Sequence, residues 1–277
     1  MMDKIDKNRW VELRNRVGFK SGMIPRLNKQ RLKVKDHGKE YAEVVFFGDT
    51  HWGSPQCDRD RARRMIQHCI DKNIYVLLMG DLIEFATRGS VGAGVYEQIM
   101  NPHQQFDEVM EMLTPLADKK LILGLLRGNH ELRGYKESGI DIARIMATEL
   151  DCRYLMDACW NLWYVGKQSY SIYSLHGATG SRYIYTKLNC AIKIAHNFAS
   201  EILVMGHVHE NAYTSTISQV LNKHTKTIEE MKHFVVLTGH YLNYDKSYAQ
   251  RLGMGQGKLG SPKIKFFANK HDIHISC

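Results

Sequence analysis

The chain has 277 residues, 44% of them apolar, and carries a formal net charge of +9. That length admits one large domain, or a domain with a modest appendage, and the apolar share is enough for a real core, which excludes wholesale disorder. The apolar runs fall well short of the roughly 20 residues that cross a bilayer, and the charged start is unlike a secretory signal, so a soluble cytoplasmic protein without stable membrane association is expected.

The charge is uneven. Residues 1–40 hold twelve Lys or Arg against five Asp or Glu, including the alternating run Lys29, Arg31, Lys33 and Lys35. Such a strip can meet phosphate backbones, or it can be a solvated face; no recognition helix or zinc finger accompanies it. The chain therefore divides into a basic N-terminal extension, residues 1–40, and one domain over residues 41–277. The six cysteines, Cys57, Cys69, Cys152, Cys159, Cys190 and Cys277, show neither close pairing nor zinc-finger spacing and read as free thiols.

Glu43 to Gly48 is a compact apolar run that predicts a buried strand, with Asp49-Thr50-His51 where it stops. Cys57 to Lys72 has helical spacing through Met65, Ile66, Cys69 and Ile70. Ile74 to Met79 predicts a second strand that ends at Gly80-Asp81, and this strand, helix, strand order points to a parallel crossover. Pro102 to Leu116 reads as a helix, and Lys120 to Leu126 as a strand delivering Gly128-Asn129-His130-Glu131. A further helix is expected over Ser138 to Leu150.

From Ala158 the period changes. Trp160 to Val165 and Ser169 to Leu175 predict adjacent strands joined around Gly166-Lys167-Gln168, the second ending at His176-Gly177. Thr186 to Phe198 predicts a helix, and Glu201 to Met205 a strand ending at Gly206-His207-Val208-His209. Ala212 to Val220 and His233 to Thr238 extend a second sheet. The expected fold is α/β, with two mixed sheets packed face to face, helices outside, and all five polar clusters on one edge, where ligands of open α/β sheets sit.

Each cluster alone is weak evidence, but five beside strand ends offer enough oxygen and nitrogen for two cations. The mixture of carboxylate, amide and imidazole suits borderline divalent metals better than a calcium cage. His130 adjoins Asn129, and adjacent side chains diverge, so it is not expected to bind the same ion.

On Asp49-Thr50-His51, Gly80-Asp81, Gly128-Asn129-His130-Glu131, His176 and Gly206-His207-Val208-His209, the chain resembles the calcineurin-like metallophosphoesterase superfamily. That superfamily includes protein phosphatases, cyclic-nucleotide phosphodiesterases and the Mre11/SbcD nuclease branch. The resemblance implies a four-layer α-β-β-α metallophosphoesterase sandwich over the main domain. It implies that Asp49, His51, Asp81 and His209 hold one metal, that Asp81, Asn129, His176 and His207 hold the other, and that Asp81 bridges them. Manganese is the expected metal, with iron or zinc as alternatives. A bridging hydroxide then attacks phosphorus, and His130 stabilises the transition state or protonates the leaving oxygen.

For the substrate, the basic segment favours nucleic acid, with a DNA exonuclease as the leading expectation. The alternative is a small-molecule or nucleotide phosphatase or phosphodiesterase, or a phosphoprotein phosphatase. Arg182, Tyr183, Tyr185 and Lys187 could bind phosphate and stack on rings, or simply pack. Arg127 and Arg133 could clamp phosphate or form salt bridges, and Glu131 could orient His130 or cap a turn. His240 lies in a late loop that could approach the site, while Gly89–Gly94 and Gly253–Gly260 are flexible segments that could close a pocket. Lipid-linked relatives carry arginine where this chain has His130, which disfavours a lipid substrate. Homo-oligomerisation is left open.

Overall fold

The computed structural model describes residues 27–34, 40–88, 90, 94–177, 183–253 and 255–277. Arg182, Lys35 and most of the basic N-terminal segment lie outside the described residues, as do Gly89 and residues 91–93 of the first glycine-rich loop.

Among the described residues, eleven strands form two mixed sheets. In the first, β2 (Tyr41–Phe47), β3 (Tyr75–Leu78) and β4 (Ile122–Leu125) run parallel, β10 (Lys263–Phe267) pairs antiparallel to β2, and β11 (Ile273–Ser276) closes the order β11-β10-β2-β3-β4. The second has the order β1-β5-β6-β7-β9-β8, from β1 (Leu27–Leu32), β5 (Ala158–Val165), β6 (Gln168–Leu175), β7 (Ile202–Met205), β8 (Asn211–Asn222) and β9 (Thr227–Thr238). Parallel β2 to β4 have both faces covered and so read as unbroken apolar runs, whereas β5 alternates because its outer face is less covered.

Between the sheets, Phe46, Trp163, Tyr170 and Phe266 interlock, with ring centroids 6.1 Å apart for Phe46–Trp163 and 5.0 Å for Tyr170–Phe266. Helices α1 (Arg59–Lys72), α2 (Pro102–Asp118), α3 (Asn129–Ser138) and α4 (Ile142–Glu149) accompany the first sheet. Ala62, Ile66, Val109, Leu113 and Met146 join its apolar cluster. Helix α5 (Ile184–Asn197) covers the outer face of the second sheet through Ala191 against Leu203, Met205, Val235 and Leu237. A one-turn helix, α6 (Tyr248–Arg251), follows β9. All six cysteines are free thiols, and among the described residues no helix is long and apolar enough to cross a membrane.

Three local features differ from the sequence expectation. The helix expected over Ser138 to Leu150 is the shorter α4, which Asp141 caps by accepting the Arg144 amide at 3.2 Å, and it is preceded by a helix the sequence pattern does not predict, α3, which Gly139 ends in the left-handed region (φ 73°). The basic run includes a strand, β1, whose Asn28 and Gln30 face inward and donate to the Leu123 carbonyl while Lys29 and Arg31 point outward. Strands β10 and β11 complete the first sheet from a tail in which the sequence pattern predicts no element.

Strand β1 runs parallel to β5, so Lys29 aligns with Leu162 and Ser171, and Arg31 with Tyr164 and Ser169. At a rise of about 3.3 Å per residue, Ser171 and Ser169 lie roughly 17 and 23 Å back along β6 from His176. The basic row therefore runs away from the edge on which the polar clusters gather.

Candidate metal centre

Beyond the ends of β2 and β3 the two loops travel side by side. The amides of Asp49, His51 and Trp52 donate to the carbonyls of Gly80, Asp81 and Leu82, each at 3.0 Å. This places Asp49, His51 and Asp81 on facing loops. Asp49, His51, Asp81, His207 and His209 all have φ between 48° and 67°, a region that costs a residue with a Cβ about 1–2 kcal/mol. Such strain persists only where surrounding structure enforces it, and it collects at functional sites. Gly128 is required by close approach, since a Cβ there would lie 2.1 Å from Asp81 Oδ1.

All seven metal-ligand candidates meet at this edge. His51 Nε2 is 3.1 Å from His209 Nε2, and His209 Nε2 is 3.4 Å from Asp49 Oδ1. His176 Nε2 lies 3.2 Å from Asp81 Oδ2 and 3.0 Å from Asn129 Oδ1. Asp49–His51–His209 and Asp81–His176–His207 each bring one ligand atom per residue within 4.8 Å of the others, giving two separate candidate cation sites. Asp81 Oδ2 is also 3.9 Å from His51 Nε2, so its carboxylate spans both groups.

His130 stands in a third cluster with His51 and Asp81. Its Nε2 is 3.8 Å from Asp81 Oδ2, and its Nδ1 donates to the Glu84 carbonyl at 2.6 Å. Arg133 Nη2 lies 3.3 Å from His130 Nε2. Because a guanidinium can only donate, the imidazole Nε2 is the acceptor in this arrangement.

The surroundings orient the imidazoles. His176 Nδ1 donates to the Met79 carbonyl at 2.8 Å, and His51 Nδ1 donates to Glu84 Oε2 at 3.1 Å, which turns each Nε2 inward. The backbone amide of His207 donates to both oxygens of Asp49 at 3.1 Å. Burial opposes ionisation of Asp81, but His176 and His130 hold its carboxyl well below the usual range. Burial opposes ionisation of Asp49 too, and the hydrogen bond from His209 with the charge of His176 nevertheless keeps it low. Burial would lower His176, yet Asp81 and Asp49 raise it to about 10, while burial and the neighbouring His130 drive His51 well below its ordinary value. The site thus keeps two buried carboxylates ionised and gathers positive charge around them.

The donor set fits divalent cations. Asp81 Oδ2 and His207 Nδ1 are buried atoms without a hydrogen-bond partner, His176 lying near Asp81 Oδ2 but in poor alignment. Two orphaned ligand atoms in a water-poor site, each in the Asp81–His176–His207 group, are costly unless an ion satisfies them.

The accessory residues sort differently. Arg127 is buried and forked onto Asp157, at 2.9 Å from Nε to Oδ1 and 3.1 Å from Nη2 to Oδ2, with Asp141 3.5 Å away, so it forms a salt bridge. Lys187 is buried in an ion pair with Glu210 at 2.9 Å, which pins the first turn of α5 beside the His207–His209 loop. Tyr183 and Tyr185 are 63% and 62% exposed and stack on each other with centroids 5.5 Å apart. Glu131 caps α3 from within and ties two loops together: its carboxylate accepts from the amides of Gly128, Asp81 and Leu82 at 2.9, 3.0 and 2.8 Å. Burial and the nearby Asp81 push Glu131 up to about 7.

His240 does approach the site, stacking on His209 with centroids 5.1 Å apart, and burial drives its pKa down to about 3. Lys258 of the second glycine-rich segment donates to the Cys277 carbonyl at 2.6 Å. Glu84 escaped the sequence reading. Its signal was a carboxylate three residues after Asp81 inside an apolar stretch, where an acid needs a partner.

Residues 42–244 match the model of the calcineurin-like phosphoesterase family. The chain belongs to that family, and its two mixed sheets flanked by helices form the family's sandwich. No curated protein matches it in sequence. Among solved structures it is similar to a predicted phosphoesterase from Streptococcus pneumoniae, with 11% identity, 85% of this chain and 88% of that chain covered, and a TM-score of 0.36. It is also similar to vacuolar protein sorting 29 from Cryptosporidium parvum, with 14% identity, 86% and 98% coverage and a TM-score of 0.37. The zinc complex of vacuolar protein sorting 29 from Entamoeba histolytica has 12% identity, 84% and 97% coverage and a TM-score of 0.33.

Proposed function

We propose that the chain is a metal-dependent phosphodiesterase whose substrate is a nucleic acid strand, cut from an end as a DNA exonuclease cuts. The observation that carries the hydrolytic reading is the adjacency of two candidate cation sites, Asp49–His51–His209 and Asp81–His176–His207, with the buried Asp81 Oδ2, which has no hydrogen-bond partner, only 3.9 Å from His51 Nε2 of the other group. Asp49, His51, Asp81 and His209 would hold one ion, and Asp81, Asn129, His176 and His207 the other, with manganese first among the candidates and iron or zinc next. Bound there, two divalent cations supply an activated water and neutralise charge on the phosphoryl oxygens.

The chain's own residues do the rest. Glu84 fixes the tautomers of His51 and His130, one through its carboxylate and the other through its carbonyl. Arg133 occupies His130 Nε2 in the resting arrangement. A substrate phosphate that draws the guanidinium to itself gains a charge-assisted contact and frees the Nε2 lone pair, which can then take up a proton from water and pass it to the leaving oxygen while Nδ1–H stays on the Glu84 carbonyl. The exposed Tyr183–Tyr185 stack, anchored near the site through the Lys187–Glu210 pair, supports a base-bearing ester because every base offers a face for stacking.

The basic row on β1 supports a polymer rather than a fragment only if the strand extends far enough. Its first cation lies roughly 17 Å along the sheet from the site, about five nucleotides at 3.4 Å per strand step. That separation equally favours a second reading, a small nucleotide or other phosphate ester that never reaches the row.

The test restores Mn²⁺ to metal-free protein and compares wild type with Asp81→Asn and His130→Ala on an activated bis-ester and a mono-ester. Both variants should lose at least about a hundredfold in kcat on the bis-ester. Unchanged turnover in both sinks the proposed site. Labelled single- and double-stranded DNA, RNA and cyclic nucleotides then separate the substrate readings, since a polynucleotide bound through β1 must show salt-dependent affinity and a mononucleotide need not.

A further inference from the structure

Strand β8 is an anomaly at the far end of the second sheet from β1. Sheet edges expose unpaired amides and carbonyls, and proteins guard them with charge, proline, bulges, short length or cover. Every other edge here is guarded. Strand β1 carries Lys29 and Arg31, β11 has only four residues, and the edge of β4 is covered by Asn28, Gln30 and the bridge from Leu125 to Tyr154.

Strand β8 has twelve residues, Asn211–Asn222, with no charged residue and no proline. It pairs with β9 in unbroken register from Asn211↔Thr238 to Asn222↔Thr227, and among the described residues no strand lies on its other side. Tyr213, Ile217 and Leu221 share one face and are 50%, 63% and 61% exposed, and Ile228, opposite Leu221 on β9, is 69% exposed. Isolated exposed apolar residues are ordinary, but a row of them along one face of a long open edge, interleaved only with the uncharged Ser215 and Gln219, marks an interaction surface.

We propose that this edge pairs with β8 of a second copy of the chain, antiparallel and centred on Ile217. The sequence is self-complementary in that register. Tyr213 faces Leu221 of the other copy, Ile217 faces Ile217, Ser215 faces Gln219, Thr216 faces Ser218, and Thr214 meets Val220 as a β-branched pair. A one-residue slip in one direction would put Tyr213, Ile217 and Leu221 opposite Asn222, Ser218 and Thr214, and in the other it would put Ile217 opposite Thr216. Charge on the strand does not oppose this pairing: each chain carries a formal +9, but β8 has no charged residue, so two copies meet along it without placing like charges of this strand opposite each other. A nucleic acid has no cation to meet on this strand. Two copies joined here share one continuous sheet, and the pairing is independent of whether the metal edge hydrolyses anything.

The experiment measures the solution mass of the intact protein by light scattering over a wide concentration range. Wild type should have twice the 32.0 kDa chain mass at high concentration. Ile217→Lys, at an exposed position, should keep the wild-type circular dichroism and return the mass to 32.0 kDa, with the dissociation constant raised about tenfold or more. The register is read by oxidation. Ile217→Cys alone should give a reducible cross-linked dimer well above the background from the native thiols. Tyr213→Cys alone should not, and an equimolar mixture of Tyr213→Cys with Leu221→Cys should. A monomer at every concentration, or a dimer that survives Ile217→Lys with no cross-link at position 217, overturns the proposal and leaves the stripe to a different partner.

Discussion

Replacing Glu131 with alanine removes one carboxylate and strands three closely held buried amides, with the Ile83 amide held more loosely at 3.4 Å. The carboxylate accepts from Gly128, Asp81 and Leu82 at 2.9, 3.0 and 2.8 Å, and the Glu131 residue is 1% exposed. An orphaned buried donor costs roughly 1–3 kcal/mol, so three cost about 3–6 kcal/mol once water entering the vacated volume relieves part of the loss. Set against a total stability of about 5–15 kcal/mol for a typical protein, that is a large fraction. The amides belong to two loops, the turn after β3 and the turn after β4, so the same change releases Asp81 from the Asn129–His130 segment. Loss of a residue that orients metal ligands typically costs about 10–100-fold in metal affinity. Urea unfolding of the metal-free protein reads the stability, and calorimetric titration with Mn²⁺ reads the affinity. Glu131→Gln, which keeps one acceptor oxygen, should fall between wild type and Glu131→Ala. An alanine variant within about 1 kcal/mol of wild type would refute the claim that this carboxylate holds the two loops together.

Other outcomes follow from the same geometry. Arg127→Ala breaks the fork onto Asp157 and should lower stability by about 1–3 kcal/mol, the value of a charge-assisted hydrogen-bond set, while leaving KM unchanged; a raised KM would show that it clamps substrate phosphate after all. Saturating Mn²⁺ should raise the melting temperature of the metal-free protein, by the equivalent of about 2.7 kcal/mol when the ion is at a hundred times its dissociation constant. His207→Ala should abolish most of that rise and His68→Ala none of it, and equal shifts in both variants would count against the proposed site. Tyr183→Ala combined with Tyr185→Ala should raise KM for a base-bearing ester by about 1–3 kcal/mol per lost stack while leaving a phosphate ester without a ring unaffected. Equal losses on both substrates would reassign the pair to packing.

How legible the molecule is in its sequence depends on which forces leave a pattern. Strands β2, β3, β4 and β7 are visible because burial on both faces demands unbroken apolar runs, and the polar clusters are visible because they interrupt those runs abruptly. Strand β1 is hard to see, because two of its three inward residues are Asn28 and Gln30, which satisfy the Leu123 carbonyl, and Leu32 alone gives no apolar alternation against the outward cations. Helix α3 is obscured in the same way: its first turn, Asn129-His130-Glu131, serves the site and shows no apolar stripe. Glu84 is hidden because a buried acid in an apolar stretch looks the same whether it turns two imidazoles or merely finds a chance partner.

The strain at the metal edge belongs to this hidden part. Asp49, His51, Asp81, His207 and His209 could all have been ordinary strand-end residues, yet each is held in the left-handed region. At about 1–2 kcal/mol apiece, the five together cost a sum comparable to the whole stability of a marginal domain. A fold that carries such a cost without a ligand must recover it from the rigid sheet beneath, from the Glu131 clamp that ties the loops together, and from the paired carboxylates and imidazoles. For that reason the clamp should matter most when metal is absent, and the stability gap between wild type and Glu131→Ala should narrow once ligand atoms such as Asp81 Oδ2 and His207 Nδ1 acquire an ion. A gap that stays the same at saturating Mn²⁺ would mean that the loops and the ion are not energetically coupled.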